Sequence, residues 1–232
     1  MRKRTVVLVP AFNESKRIGK TVAALKRIPL IDEIIVIDDG SRDDTGLEAQ
    51  KAGASVIRTG RNLGKGGALN LALRGLDYDV LLLVDGDLAD AAIEVEKLLQ
   101  PVLRGEADMT IADFPEPSLK GGFGLVKKFA RWGIKRCTGR VVSEPLCGQR
   151  ALTREVVERV RKFDPGFGVE VGLTIDTIRL GFKVVEIPTT MSHAETGRDI
   201  GGFVHRGRQF YHVLRSVLSR LPARPGPAWP GR

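Results

Sequence analysis

The stretch DYDVLLLVDGDL, residues 77–88, constrains this chain more than any other. An apolar run from Val80 to Val84 stops abruptly at two carboxylates, Asp85 and Asp87, separated by Gly86. Such an unbroken run has the length and composition of a strand buried on both faces of a parallel sheet. Open α/β sheets place their ligands at the carboxyl ends of such strands. Two aspartates one residue apart, with a glycine letting the backbone bend between them, can turn toward one divalent cation. They can equally cap a turn and the following helix, because turns favour Asp and Gly.

Upstream, the pattern repeats. Thr5 to Val9 reads as a first buried strand, followed by PAFNESKRIGKTVAALKR as loop and helix, with Asn13 or Ser15 expected as the cap. Ile34 to Ile37 reads as a second strand, ending in Asp38, Asp39, Gly40 and Ser41. A helix near Thr45 to Ala52 and a short strand Ser55 to Arg58 come next, and GRNLGKGGALNLALRG opens a helix leading to the Val80 strand. Strand and helix alternating in this way predict right-handed crossovers and a single α/β domain with a mostly parallel, doubly wound, Rossmann-like sheet. The length of 232 residues suits one such domain.

The glycine-rich segment fails two nucleotide-binding fingerprints. Its spacing is wrong for a Walker A loop, and Leu69 stands where a dinucleotide motif beginning at Gly64 and Gly66 needs its third glycine. What remains is a tight loop at a helix amino terminus carrying Arg61 and Lys65, suited to a phosphate.

Two cysteines, Cys137 and Cys147, make neither a disulfide framework nor a metal pattern, so a reducing cytoplasm is the expected compartment. No run approaches the roughly 20 apolar residues of a spanning helix. The net charge of +9 is concentrated in two segments. No acid falls between Glu116 and Glu144, where seven Lys and Arg lie, nor from Gly201 onward. Recognition motifs of nucleic-acid modules are missing, so phosphorylated substrates or an anionic membrane surface are the expected counterparts. The first segment contains an amphipathic helix with Leu125, Phe129 and Trp132 on its apolar side. The second, residues 201–220, is a helix that can pack on the domain, form a homodimer or lie on a bilayer; the Pro- and Gly-rich residues 221–232 should be disordered.

PAFNE at 10–14, DDGSRDDT at 38–45, NLGKGGALN at 62–70 and VDGDL at 84–88, in this order and spacing, resemble the family 2 glycosyltransferases with the GT-A fold. The likeness runs over roughly residues 5–195. It implies a nucleotide-sugar-binding half within residues 1–90, in which Pro10, Ala11, Phe12, Glu14, Asp38, Asp39, Ser41, Lys65, Asp85 and Gly86 contact the donor. It also implies an acceptor half within 91–200, with Arg140, Gly148, Gln149, Arg150 and Arg198 near the acceptor. Asp85 and Asp87 become the metal-binding DXD element for Mg²⁺ or Mn²⁺, with His193 as a third ligand. Glu170 and Asp87 become the catalytic carboxylates, Glu170 lying in an otherwise apolar run where it can act as general base or ligand for a sugar hydroxyl; Asp176 is a second candidate.

The implied reaction moves a hexosyl group from a nucleoside-diphosphate sugar of the UDP-glucose or GDP-mannose type to a phosphate-bearing acceptor. In one branch, the glucosyl-3-phosphoglycerate synthases, the acceptor is 3-phosphoglycerate; Gly139 to Val142 and Pro145 to Gly148 resemble its binding loop, although this chain is shorter between them. In the other, similar to dolichyl-phosphate-mannose synthase, it is a polyprenyl phosphate at the membrane. A sugar-phosphate nucleotidyltransferase is the rival from another class, but it would carry a basic glycine-rich signature after the first strand, and PAFNESKR has none.

Overall fold

The computed structural model describes residues 2–114, 123–191 and 200–221. Its centre is a seven-stranded sheet. The first half of the chain supplies β1 (Thr5–Ala11), β2 (Glu33–Asp38), β3 (Ser55–Arg58) and β4 (Val80–Leu83), joined by α1 (Ile18–Leu25), α2 (Thr45–Lys51) and α3 (Lys65–Ala72). All four strands pair in parallel: β1 with β2 from Val6 opposite Glu33 to Ala11 opposite Asp38, and β1 with β4 from Thr5 opposite Val80. Val6 to Val9 and Val80 to Val84 are almost fully buried. That is why they read as continuous apolar runs: helices cover both faces of the sheet.

The second half adds α4 (Glu96–Leu103), β5 (Met109–Asp113), α5 (Phe123–Thr138), β6 (Arg150–Thr153), α6 (Arg154–Val160), α7 (Val169–Arg179), β7 (Val184–Pro188) and α8 (Ile200–Leu218). Across the sheet the order is β3-β2-β1-β4-β6-β5-β7. The short strand β6 is the exception in direction, running antiparallel to both β4 and β5. Its start therefore lies beside the end of β4, with Arg150 opposite Leu83, and the residues just before β6 meet the DGD turn. Its sequence, RALT, has neither an apolar run nor a turn signal to mark it as a strand.

Two local expectations need correction. Helix α1 begins only at Ile18, and neither Asn13 nor Ser15 caps it. Instead the Glu14 carbonyl accepts the Arg17 and Ile18 amides, while Asn13 Oδ1 accepts the Arg42 amide and the Ser15 amide donates to Asp43. These residues tie the loop after β1 to the loop after β2. Helix α5 buries Val126, Ala130 and Ile134 rather than the stripe expected, leaving Leu125 at 77% and Trp132 at 51% exposure. Helix α8 buries Val213 and Val217, while Phe210 and Leu218 face outward.

The glycine-rich loop has a packing reason for its composition. Gly64 takes φ +73° at the entry to α3, and a Cβ on Gly66 would fall on the Asp164 carbonyl oxygen, inside van der Waals contact. The segment before α7 thus lies directly on the amino terminus of α3. Gly66→Ala is expected to force these backbones apart and cost about 3 kcal/mol, at the upper end for overpacking. Urea unfolding checks this; a midpoint within error of wild type would contradict the packing.

Candidate active site

The carboxyl ends of β1, β2 and β4 bring the predicted motifs together. Asp39 is 4% exposed. Its Oδ1 accepts the Leu63 amide at 2.8 Å and its Oδ2 the Gly64 amide at 2.8 Å, so this carboxylate holds the glycine-rich loop in place. Asp38 accepts the Ser41 amide at 3.0 Å, and Ser41 Oγ accepts the Asn13 amide at 3.0 Å. Pro10 and Ala11 close β1, paired to Ile37 and Asp38, and Phe12 projects outward at 44% exposure. The donor-side motifs form one hydrogen-bonded rim along the sheet.

On β4, the DGD turn is fixed from beneath. Thr21, fully buried on α1, donates to the Gly86 carbonyl at 2.9 Å and accepts the Ala89 amide at 2.8 Å. Gly86 faces Ala11, whose Cβ leaves little room for a side chain. Thr21 is a positioning residue that sequence reasoning does not select, since a threonine on an amphipathic helix has no distinguishing signal. Burial pushes the Glu14 carboxyl up from the ordinary range, and the charges of Asp87, Asp43 and Asp85 push in the same direction. Negative potential is therefore concentrated at this end of β4.

Lys65, at the first position of α3, reaches across that potential. Its Nζ lies 2.5 Å from Asp85 Oδ1 and 2.7 Å from Glu170 Oε1. Burial lowers the affinity of this amine for its proton, but the two carboxylates outweigh it and the pKa is raised. Glu170 is consequently not the isolated acid in an apolar run that its neighbours suggest; it sits in the first turn of α7 with a cation on it. Asp85 Oδ2 accepts Gln149 Nε2 at 2.9 Å. Above the pair lies the backbone of Gly148, where a Cβ would collide with Lys65 Nζ and Asp85.

Arg150 is placed differently from expectation. It is 1% exposed, donating from Nε to the Cys147 carbonyl at 2.9 Å and from Nη1 to Thr174 Oγ1 at 2.7 Å. Enclosed in this way, it braces the 144–149 loop against α7, while its buried Nη2 has no hydrogen-bond partner among the described residues. Burial lowers its pKa, against the pull of Glu170 and other acids. Asp176 is likewise structural, held by Arg220 of the C-terminal segment at 2.5 Å, with Asp164 on the same guanidinium. Arg140 is exposed just beyond α5. His193 and Arg198 lie outside the described residues.

The model of Glycosyl transferase family 2 matches residues 6–161. The chain belongs to this family. A glucosyl-3-phosphoglycerate synthase from Mycolicibacterium smegmatis is 34% identical over 94% of this chain and 78% of its own length. A polyprenol monophosphomannose synthase from the same organism is 29% identical over 84% of this chain and 80% of its own. Among solved structures, glucosyl-3-phosphoglycerate synthase from Mycobacterium tuberculosis in complex with Mn²⁺, UDP-glucose and phosphoglyceric acid superposes with a TM-score of 0.80. It is 28% identical, covering 94% of this chain and 80% of that one. This family membership makes the chain a hexosyltransferase with a GT-A fold and removes the nucleotidyltransferase alternative.

The donor set suits a hard cation. Asp85 and Asp87 offer carboxylate oxygens at a turn that also raises the proton affinity of Glu14, and Mg²⁺ and Mn²⁺ prefer oxygen ligands. No group of three or more His, Cys, Asp or Glu that could hold a metal occurs among the described residues.

Proposed function

We propose that this family 2 enzyme transfers a glucosyl group from UDP-glucose to a small phosphorylated acceptor of the 3-phosphoglycerate type, with Mn²⁺ or Mg²⁺ held by Asp85 and Asp87. The observation that carries this reading is the Asp85–Lys65–Glu170 bridge. It joins the residues assigned to the donor diphosphate, on β4 and α3, to the one assigned to the sugar, on α7. The relatives agree in chemistry and in extent, the phosphoglycerate branch matching 94% of the chain and the polyprenol branch 84%.

In the reaction, an acceptor hydroxyl oxygen forms a bond to the anomeric carbon while the bond from that carbon to the diphosphate oxygen breaks, so that UDP and the hydroxyl proton are released. The cation, when bound, offsets charge on the departing diphosphate. Lys65 offers a second positive charge there, delivered from a preorganised position. Glu170 orients a sugar hydroxyl with its carboxylate, and Asp39 holds the glycine-rich loop against the nucleoside. Arg140 lies on the segment assigned to the acceptor phosphate.

Thermal shift with UDP-glucose and GDP-mannose, each with and without Mn²⁺, tests the donor assignment. A product assay with 3-phosphoglycerate and with a short-chain polyprenyl phosphate tests the acceptor. Stabilisation by UDP-glucose and product only with 3-phosphoglycerate are expected. Product only with the polyprenyl phosphate would sink the acceptor assignment.

Peripheral contact with an anionic membrane has one supporting feature. Trp132 of α5 and Phe210 of α8 both contact Phe129, with ring centroids 5.5 and 5.4 Å away, and Lys128, Lys135 and Arg136 are exposed on α5. Aromatic side chains beside lysines are common at lipid headgroups. No helix among the described residues is long and apolar enough to cross a membrane.

A further inference from the structure

We propose that Gln149 is the positioning residue of Asp85, fixing the plane of that carboxylate for the cation and the diphosphate rather than contacting the acceptor. The inference rests on the metal and donor assignment above.

Sheet direction places it. Because β6 runs antiparallel to β4, the residue preceding Arg150 lies alongside the residues that follow Leu83, at the DGD turn. The Gln149 backbone is anchored in the sheet, its carbonyl accepting the Ala112 amide at 3.1 Å. Its side chain is fully enclosed, at 0% exposure, and both ends of the carboxamide are engaged. Nε2 donates to Asp85 Oδ2 at 2.9 Å, and Oε1 accepts from Cys147 Sγ at 3.1 Å.

The amide orientation follows from its neighbours. An ionised carboxylate only accepts, so the NH₂ group must face Asp85. The Cys147 thiol, whose pKa burial pushes up to about 12, keeps its proton and donates to the amide oxygen. Arg150 Nε in turn holds the Cys147 carbonyl. With Lys65 on Oδ1 and Gln149 on Oδ2, the Asp85 carboxylate is fixed from two sides. A neutral amide does this without adding a second negative charge. With both ends engaged and no exposed surface, the Gln149 carboxamide faces the DGD turn rather than open solvent.

The test uses Gln149→Leu and Gln149→Met in the full chain, both close to glutamine in volume and lacking the donor. Calorimetry gives the affinity for UDP in the presence of Mn²⁺, and steady-state kinetics give KM for donor and acceptor separately. Partners that orient metal ligands contribute about 10- to 100-fold to metal affinity. A loss of that size in Mn²⁺-dependent UDP affinity is expected, with the acceptor KM unchanged within two-fold. Combined with Asp85→Asn, the second substitution should add less than two-fold, since both act on one group. A raised acceptor KM with unchanged UDP affinity would overturn the proposal, as would losses that multiply in the double variant. Failure of the underlying reading is separate: there, UDP binding to wild type would not respond to Mn²⁺ at all.

Discussion

Asp87→Ala is expected to reduce transfer by about 10³-fold while leaving the protein folded and no less stable than wild type. The magnitude follows from the several kcal/mol of leaving-group stabilisation a bound divalent ion supplies, at about 1.4 kcal/mol per factor of ten. The stability half of the prediction comes from this site. Asp87 is the charge that most strongly raises the Glu14 pKa after burial itself, so the two carboxylates repel one another. Removing one should relieve that repulsion. The DGD turn survives because it is held by the Thr21 hydroxyl on the Gly86 carbonyl and the Ala89 amide, neither of which involves the Asp87 side chain. Turnover and a thermal melt on the same sample check both halves. Turnover near wild type would remove Asp87 from the metal site, and a melting temperature lowered by many degrees would show that the turn depends on it.

The parts of this site that were legible in the sequence are those whose physics is local. Buried parallel strands leave continuous apolar runs, and the carboxylates ending them at Asp38, Asp39, Asp85 and Asp87 mark the ligand-binding edge of the sheet. The illegible parts depend on register. Arg150 reads as an acceptor-binding cation, yet the antiparallel pairing of β6 places it opposite Leu83 inside the protein. Glu170 reads as an isolated acid because its neighbours in sequence are apolar, and its partner Lys65 is more than a hundred residues away. Helix α5 offers two apolar stripes, and its packing on α7 and α8, where Gly133 meets Val217, selects the one through Val126, Ala130 and Ile134. Antiparallel insertion into a parallel sheet leaves no signature in a four-residue strand such as RALT. Its consequence, a glutamine amide on the metal-binding carboxylate, is equally invisible before the fold is known.

Lys65→Met should unfold more readily than wild type by about 3 kcal/mol and lose transfer activity as well. The side chains of Lys65, Asp85 and Glu170 are 17%, 25% and 7% exposed, so the ammonium is the main compensation for two largely buried carboxylates. Removing one partner of a buried pair costs about 3–5 kcal/mol because the remaining charge is left without its counterion. The lower end applies because Gln149 still donates to Asp85, and Arg150 still lies near Glu170. For a chain of this size that corresponds to a fall in melting temperature of roughly 6–12 °C. Lys65→Arg should not restore activity, since a planar guanidinium cannot enter the space beneath Gly148 that a compact ammonium occupies. Two further measurements separate charge from packing. Adding Glu170→Gln to Lys65→Met should recover part of the lost stability by removing one uncompensated carboxylate. Mn²⁺ should raise the melting temperature of Lys65→Met more than that of wild type, because the carboxylates it binds no longer have the ammonium. If the Glu170→Gln addition lowers stability further and Mn²⁺ has the same effect on both proteins, the Lys65 contribution is packing and the bridge is not electrostatic.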